Sequence, residues 1–365
     1  MTKYFRTLTG QKLKLPVFFP DATQAVIRGL DSLDIANTHT PGILVNTYHL
    51  YKNLHAQILS QHTDVRDFMS WSGGLIADSG GFQIMTLAKK FHKKSKITDE
   101  GITFKPEHEF PVILTPEISI SFQMALKTDL VVCLDEYTTK EESRLQAEKT
   151  VERTIAWAKR CKKEYNKLCK KYCYTAKKRP YLLGVSQGGE YLDLREYCTK
   201  ELVKIGFDGL GWGGWGFAKD GTLNYEAAKI IADNCPKNYL LYGLGVGRPE
   251  NIVACADLGY TIFDCVLPTR DARHKRLYVY NAASIDQIDI RQPNFYSYYV
   301  PDKTKHHIDN SPVSSACDCL LCSHYSRAYL AHLFKVKDVS AWRLATIHNL
   351  RFYSLLMERL QSQAS

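Results

Sequence analysis

Eight short apolar runs, alternating with longer amphipathic stretches, predict an α/β chain wound into a (β/α)8 TIM barrel. Polar residues and glycines follow most of these runs and so collect at one end of the barrel, where barrel enzymes build their sites. Beyond residue 280 the character of the chain changes, and three cysteines and a histidine there predict a C-terminal zinc-binding subdomain. The expected division is a barrel over 1–280 and a zinc-binding subdomain over 281–365, packed on it.

The first strand is expected over 16–19 (Pro-Val-Phe-Phe) and the second over 42–45 (Gly-Ile-Leu-Val). The third, 74–77, is followed by Asp78-Ser-Gly-Gly; the fourth, 130–133, leads into Asp135-Glu; the fifth, 181–185, into Gln187-Gly-Gly. The sixth, 208–211, precedes Gly213-Gly; the seventh, 239–244, runs into Gly245-Val-Gly; the eighth, 261–263, is followed by Asp264. Helix-like stretches lie between, for example 116–127, 140–172, 192–205 and 249–258. Glycines at strand ends let backbone approach a ligand closely. A doubly wound sheet is the alternative fold, but Gly245-Val-Gly-Arg-Pro lacks the third glycine of a dinucleotide fingerprint.

Cys317, Cys319, Cys322 and His348 form the pattern C-x-C-x2-C-x25-H. Three thiolates and one imidazole fill a tetrahedral Zn(II) shell. A filled shell leaves no position for water, so one structural zinc per chain is expected. The tight cysteine spacing suits a turn wrapped round the metal. His348 lies in Trp342-Arg-Leu-Ala-Thr-Ile-His-Asn-Leu, which reads as a helix returning to the site. Before it, residues 284–307 are polar and rich in Tyr, Asn and Gln. Helices are expected over 326–334 and 341–361.

Composition narrows the class. The chain has 365 residues, is 45% hydrophobic and carries a formal charge of +10, so a large core and a polyanionic partner both fit. No apolar run approaches the ~18 residues of a membrane-spanning helix, and Met1-Thr-Lys-Tyr-Phe-Arg lacks the apolar core of a signal peptide. The eleven cysteines are an odd number; those outside the metal pattern, such as Cys133, Cys255 and Cys265, sit mostly in apolar runs. Reduced thiols and a cytoplasmic chain are expected. Two basic stretches are candidate phosphate binders: Lys89-Lys-Phe-His-Lys-Lys-Ser-Lys, and 159–179 with Tyr165, Tyr172 and Tyr174 interleaved.

An ordered set of motifs then resembles one family, the tRNA-guanine transglycosylases. It runs from Asn46-Thr-Tyr-His-Leu-Tyr through Asp78-Ser-Gly-Gly-Phe-Gln, Lys96-Ile-Thr-Asp-Glu-Gly and Leu134-Asp-Glu. It continues through Glu152-Arg-Thr, Gln187-Gly-Gly, Gly245-Val-Gly, Phe263-Asp-Cys-Val-Leu-Pro-Thr-Arg and the metal pattern to Ile347-His-Asn-Leu-Arg-Phe-Tyr. The family exchanges guanine in a nucleic acid for a 7-deazaguanine. The resemblance implies tRNA as partner, guanine and 7-deazaguanine bases such as preQ1 or queuine as substrates, and a homodimer. Alternatives are a relative that inserts the base into DNA and a non-catalytic partner subunit that binds RNA.

Base exchange breaks the bond between ribose C1′ and N9 through an oxocarbenium-like transition state. A carboxylate can attack C1′ and later be displaced. The resemblance places that nucleophile at Asp264 and a second carboxylate, handling the proton on the base, at Asp78. It places Asp135 against the guanine donor edge, Gln187 and the Gly214 N–H against O6, and Phe82 and Leu244 on the ring faces. Trp215 stands where relatives supply backbone contacts to the incoming base. Arg270 and Arg273 resemble anticodon-loop contacts. A guanine within a stack must be flipped out to reach such a pocket. The chain departs from the family at the sixth strand end: bacterial members have Gly-Gly-Leu-Ala-Val-Gly-Glu, this chain Gly213-Gly-Trp-Gly-Phe-Ala-Lys. Phe217 replaces a valine whose size sorts 7-substituents, so an aminomethyl or cyano group is expected to be preferred over a cyclopentenediol.

Overall fold

The computed structural model describes residues 4–53, 62, 64–90, 95–104, 112–138, 142–214, 216 and 222–363. Eight parallel strands form one sheet: β1 (Val17–Pro20), β2 (Gly42–Val45), β3 (Gly74–Ala77), β4 (Leu130–Val132), β5 (Tyr181–Ser186), β6 (Gly209–Trp212), β7 (Leu240–Gly243) and β8 (Ile262–Cys265). Their order around the sheet is β1-β8-β7-β6-β5-β4-β3-β2. The ring closes through a parallel bridge between Asp21 and Leu44, where the Ala22 N–H meets the Leu44 carbonyl at 2.7 Å. The expected (β/α)8 barrel is therefore the fold, with every strand end within two residues of that read in the sequence and two strands, 42–45 and 74–77, coinciding. Asp264 lies inside β8, paired with Phe19 of β1, and does not follow the strand as expected.

Two apolar layers hold the barrel. Inside it, Val17, Phe19, Leu44, Ile76, Leu130, Val132, Leu183, Val185 and Tyr242 pack together. Period-two alternation sends the other residues of each strand outward against the helices. Trp157, Cys161 and Tyr165 meet them from the long helix Arg144–Lys171. Phe19 fills the interior so completely that a Cβ on Gly42 would lie 2.3 Å from its ring. An antiparallel hairpin, Tyr4–Arg6 with Lys12–Lys14, seals the bottom. Phe5 reaches the ring of Tyr181 at 5.0 Å there, and the Leu8 N–H donates to Asp129 at 2.7 Å.

Three antiparallel strands, Ser95–Thr98, Gly101–Phe104 and Val112–Leu114, form a small sheet between β3 and β4. After β8 the chain makes a hairpin, Leu277–Tyr280 with Tyr296–Tyr299, and ends in the helices Arg327–Lys335 and Val339–Gln363. The last helix braces the site end of the barrel. Asn349 donates to the carbonyls of Pro268 (2.9 Å) and Arg276 (3.0 Å) and accepts from the Tyr278 N–H. Tyr353 donates to the Gly247 carbonyl at 2.6 Å and packs on Phe18. No helix among the described residues is long and apolar enough to cross a membrane.

Candidate active site

A cavity of about 350 Å³ opens at the C-terminal end of the strands. This size sits near the lower end of small-molecule sites, ~300–1,000 Å³. Asp21, Asp78, Asp135 and Asp264 line it, with Asn46, Phe82, Gly214 and Leu244. The geometry divides it into two halves.

One half is built by β8, β1, β2 and β3. Asp78 directly follows β3, and its carboxylate accepts from the N–H groups of Thr47 (2.9 Å) and Gly80 (3.1 Å) and from the side-chain amide of Asn46. Burial nevertheless raises this carboxyl to about 7; the backbone donors oppose the rise and the Asp264 charge adds to it. Asp264 accepts from the Gly245 N–H at 2.9 Å. Burial raises it to about 6, against the lowering effect of Gly245 and the Tyr242 hydroxyl. Asp21, at the end of β1, is held well above the usual carboxylate range by burial and by the charges of Asp264 and Asp78.

The other half is built by β4, β5 and β6. Gln187 is fully buried, and its amide orientation is fixed: Oε1 accepts from the Thr138 hydroxyl at 2.9 Å while Nε2 donates to Asp135 at 2.6 Å. Burial raises Asp135 to about 6, with Gln187 opposing and Glu136 adding to the rise. Glu136 is tied to Arg153 at 2.6 Å. Gly213 and Gly214 pass close beside Gln187: a Cβ on Gly213 would sit 2.4 Å from Nε2, and Gly214 has φ +83°. Only glycine serves there.

Phe82 is half exposed at the mouth, edge-on to Tyr137 at 5.0 Å, and Leu244 lines the wall beneath. Arg270 and Arg273 lie on the short helix Leu267–Arg273 that follows β8. Arg273 donates to the Thr269 carbonyl at 2.8 Å. Burial lowers its guanidinium, and the charges of Arg28 and Arg270 lower it further. Arg28 and Arg270 thus lie near enough to Arg273 for their charges to act on it. Trp215, Phe217 and Lys219 lie outside the described residues, as does the middle of the 89–96 basic stretch. The second basic stretch, 159–179, leads into the start of β5 and so sits at the opposite end of the barrel. Its Tyr165 is buried, and its Arg179 forks onto Asp208 at 2.6 and 2.7 Å.

Two contributors escaped the sequence reading. Asp21 is one; only its place after an apolar run could have marked it. The other is Arg195 on the helix Leu192–Ile205, a wholly buried guanidinium whose Nη1 donates to the carbonyls of Ser186 (2.5 Å) and Gly213 (2.9 Å). It clamps the ends of β5 and β6, which carry Gln187 and Gly214. A charged residue on an amphipathic helix gives no sequence signal of such a role.

Away from the cavity, the ligand atoms of Cys317, Cys319, Cys322 and His348 all lie within 4.8 Å of one another. His348 Nδ1 stands 3.5 Å from Cys319 Sγ and 3.2 Å from Cys322 Sγ. Tetrahedral sulfur and nitrogen ligands with zinc bond lengths of about 2.3 and 2.0–2.1 Å sit roughly 3.5 Å apart, so the cluster fits a metal ion. The His348 Nε2 faces the Tyr278 carbonyl at 2.7 Å, which assigns its proton and leaves Nδ1 as the ligating atom. None of the eleven cysteines is in a disulfide.

The family model described as queuine tRNA-ribosyltransferase matches residues 5–364. Curated proteins of that name are similar over nearly the whole chain. The one from Shewanella sp. (strain W3-18-1) is 36% identical over 350 residues, 96% of this chain and 86% of the relative. That of Idiomarina loihiensis is 35% identical over the same shares, and that of Acinetobacter baumannii 34% identical over 97% of this chain and 88% of the relative.

Proposed function

Because the chain belongs to the queuine tRNA-ribosyltransferase family, we propose that it is a pentosyltransferase that exchanges guanine at the wobble position of tRNA for a 7-deazaguanine, preQ1 or queuine. The observation that carries this reading is one cavity lined by Asp264, Asp78 and Asp135, with Gln187 behind it donating to Asp135. The chemistry needs carboxylates on the sugar side and guanine-matching groups on the base side, and the two halves supply them.

Asp264 attacks C1′ as the bond to N9 breaks, and the electron pair of that bond leaves on the base. The departing base takes a proton at N9 from Asp78, whose carboxyl, raised to about 7, can hold one at neutral pH. The ribosyl ester on Asp264 persists while the bases change places. The incoming base gives its N9 proton back to Asp78, N9 attacks C1′, and the Asp264 carboxylate departs. Two inversions give net retention. Asp135 accepts from N1–H and the 2-amino group; Gln187 Nε2 and the Gly214 N–H donate to O6. Phe82 and Leu244 close on the ring faces, and Arg270 and Arg273 bind the nucleic acid beside the flipped nucleotide. The Cys317, Cys319, Cys322 and His348 set holds a structural zinc, which staples the turn to the long C-terminal helix. Unpaired thiols support a cytoplasmic location, and the family resemblance carries a homodimer.

Incubation with labelled guanine and either tRNA or duplex DNA tests the reading. Label is expected in tRNA. Label in DNA alone would make the polymer DNA, and label in neither would leave a binding protein.

A further inference from the structure

Three carboxyls meet on the sugar side of the cavity, and two of them are held by donors. Asp78 takes N–H groups from Thr47 and Gly80, and Asp264 takes one from Gly245. The Asp21 carboxyl receives no hydrogen bond from any described residue, although it lines the same buried cavity. Asp21 is partly exposed to that cavity, so a polar partner for its carboxyl is to be sought in the ligand.

Its position restricts that ligand. Phe19 pairs with Asp264 and points into the barrel. Asp21 is two residues further along, so it continues the same inward face. It stands just past β1, between Asp264 on β8 and the Asn46–Asp78 pair just past β2 and β3. The base-matching groups Asp135, Gln187 and Gly214 occupy the opposite side of the ring. With C1′ at Asp264 and the base toward β4–β6, the group nearest Asp21 is the sugar. We propose that Asp21 binds the 2′-hydroxyl of the target ribose and so selects RNA over DNA as the polymer.

This rests on the base-exchange reading above. A carboxyl accepts a hydroxyl proton in either protonation state, and a neutral one can donate as well. The titratable groups facing Asp21 are Asp264 and Cys265 of β8, Tyr242 of β7 and Asp78 after β3, all acids. Their company and burial raise the Asp21 carboxyl and so favour its neutral form. A neutral acid adds little to the stabilisation of a cationic sugar, but suits recognition of a hydroxyl.

The test measures guanine exchange into an anticodon stem-loop RNA and into the same RNA with one 2′-deoxyguanosine at the target position. The ribo-to-deoxy ratio of kcat/KM is compared between wild type and Asp21→Ala, so that the intrinsic effect of the hydroxyl cancels. The ratio is expected to fall about tenfold or more in the variant. Asp21→Asn, isosteric with a neutral carboxyl, should keep most of it. Asp21→Ser, too short to reach the sugar, replaces the alanine variant if that does not fold. An unchanged ratio in Asp21→Ala or Asp21→Ser overturns the proposal alone. Wild type that labels neither RNA removes the exchange reading, and the proposal with it.

Discussion

The side-chain amide of Gln187 donates to the Asp135 carboxylate across 2.6 Å, linking the ends of β5 and β4. The same amide accepts from Thr138, so neither partner can rotate without breaking a buried bond. Asp135 offers the cavity an acceptor, which suits the N1–H of guanine, and Gln187 holds that carboxylate in place.

Removing the carboxylate should therefore weaken every guanine-like base. Asp135→Ala leaves ring donors and a Gln187 hydrogen unpaired, at a cost of roughly 1–3 kcal/mol. The KM for guanine should rise about tenfold or more, with a parallel rise for each 7-deazaguanine. Steady-state exchange with each base checks this; a KM that rises for one base alone would place Asp135 at the 7-substituent instead.

The raised carboxyls make a second, pH-dependent prediction. Asp78 is about 7 in the fold against an ordinary value near 3.8, so between those limits the folded state binds more protons than the unfolded state. Stability contributed by this group therefore falls as pH rises through that window. Asp78→Asn keeps acceptors for Thr47 and Gly80 but removes the buried charge. It should stabilise the protein by on the order of 1–4 kcal/mol at pH 8 and by almost nothing at pH 4, while exchange activity collapses. Thermal melts at the two pH values decide. Equal shifts at both would show that burial of the charge is not what costs stability.

The sequence exposes these sites unevenly, for physical reasons. Barrel strands are buried on both faces, so they stand out as apolar runs, and Asp78, Asp135 and Gln187 stand out as the first polar groups beyond them. Asp21 has the same placement, but Pro20-Asp21 also reads as an ordinary turn. Arg195 is invisible because its partners are backbone carbonyls, which leave no trace in composition. The three-stranded sheet between β3 and β4 hides for a related reason: Lys96-Ile-Thr-Asp-Glu-Gly carries too many charges to look like strand, and its order comes from pairing with distant residues. The metal pattern is legible because thiolate spacing is itself the constraint.

For the metal, one zinc per chain is expected by elemental analysis. Structural zinc binding contributes on the order of 10 kcal/mol in small modules. Cys319→Ala should lose the metal and loosen the turn from the long helix. Because that helix also holds Pro268 and Gly247 through Asn349 and Tyr353, the damage should reach the nucleophile end of β8. Wild type without zinc, or the variant with undiminished zinc, would contradict this assignment.

Asp264→Asn tests the covalent step most directly. The carboxylate accepts from the Gly245 N–H, a bond the asparagine carbonyl can also accept, so the fold should survive. An amide oxygen is too weak a nucleophile to form the ribosyl ester, and exchange should fall below detection. In the wild type the nucleophile must be ionised, and burial sets Asp264 at about 6. Exchange should thus lose about tenfold per pH unit below that value, and more steeply where Asp135, also about 6, must be ionised to hold the base. Denaturing gels of enzyme mixed with tRNA in the absence of an incoming base should show a covalent adduct for the wild type that grows in with the same pH dependence. An adduct that persists in Asp264→Asn would move the nucleophile to another of the cavity carboxylates, with Asp78 the first to examine.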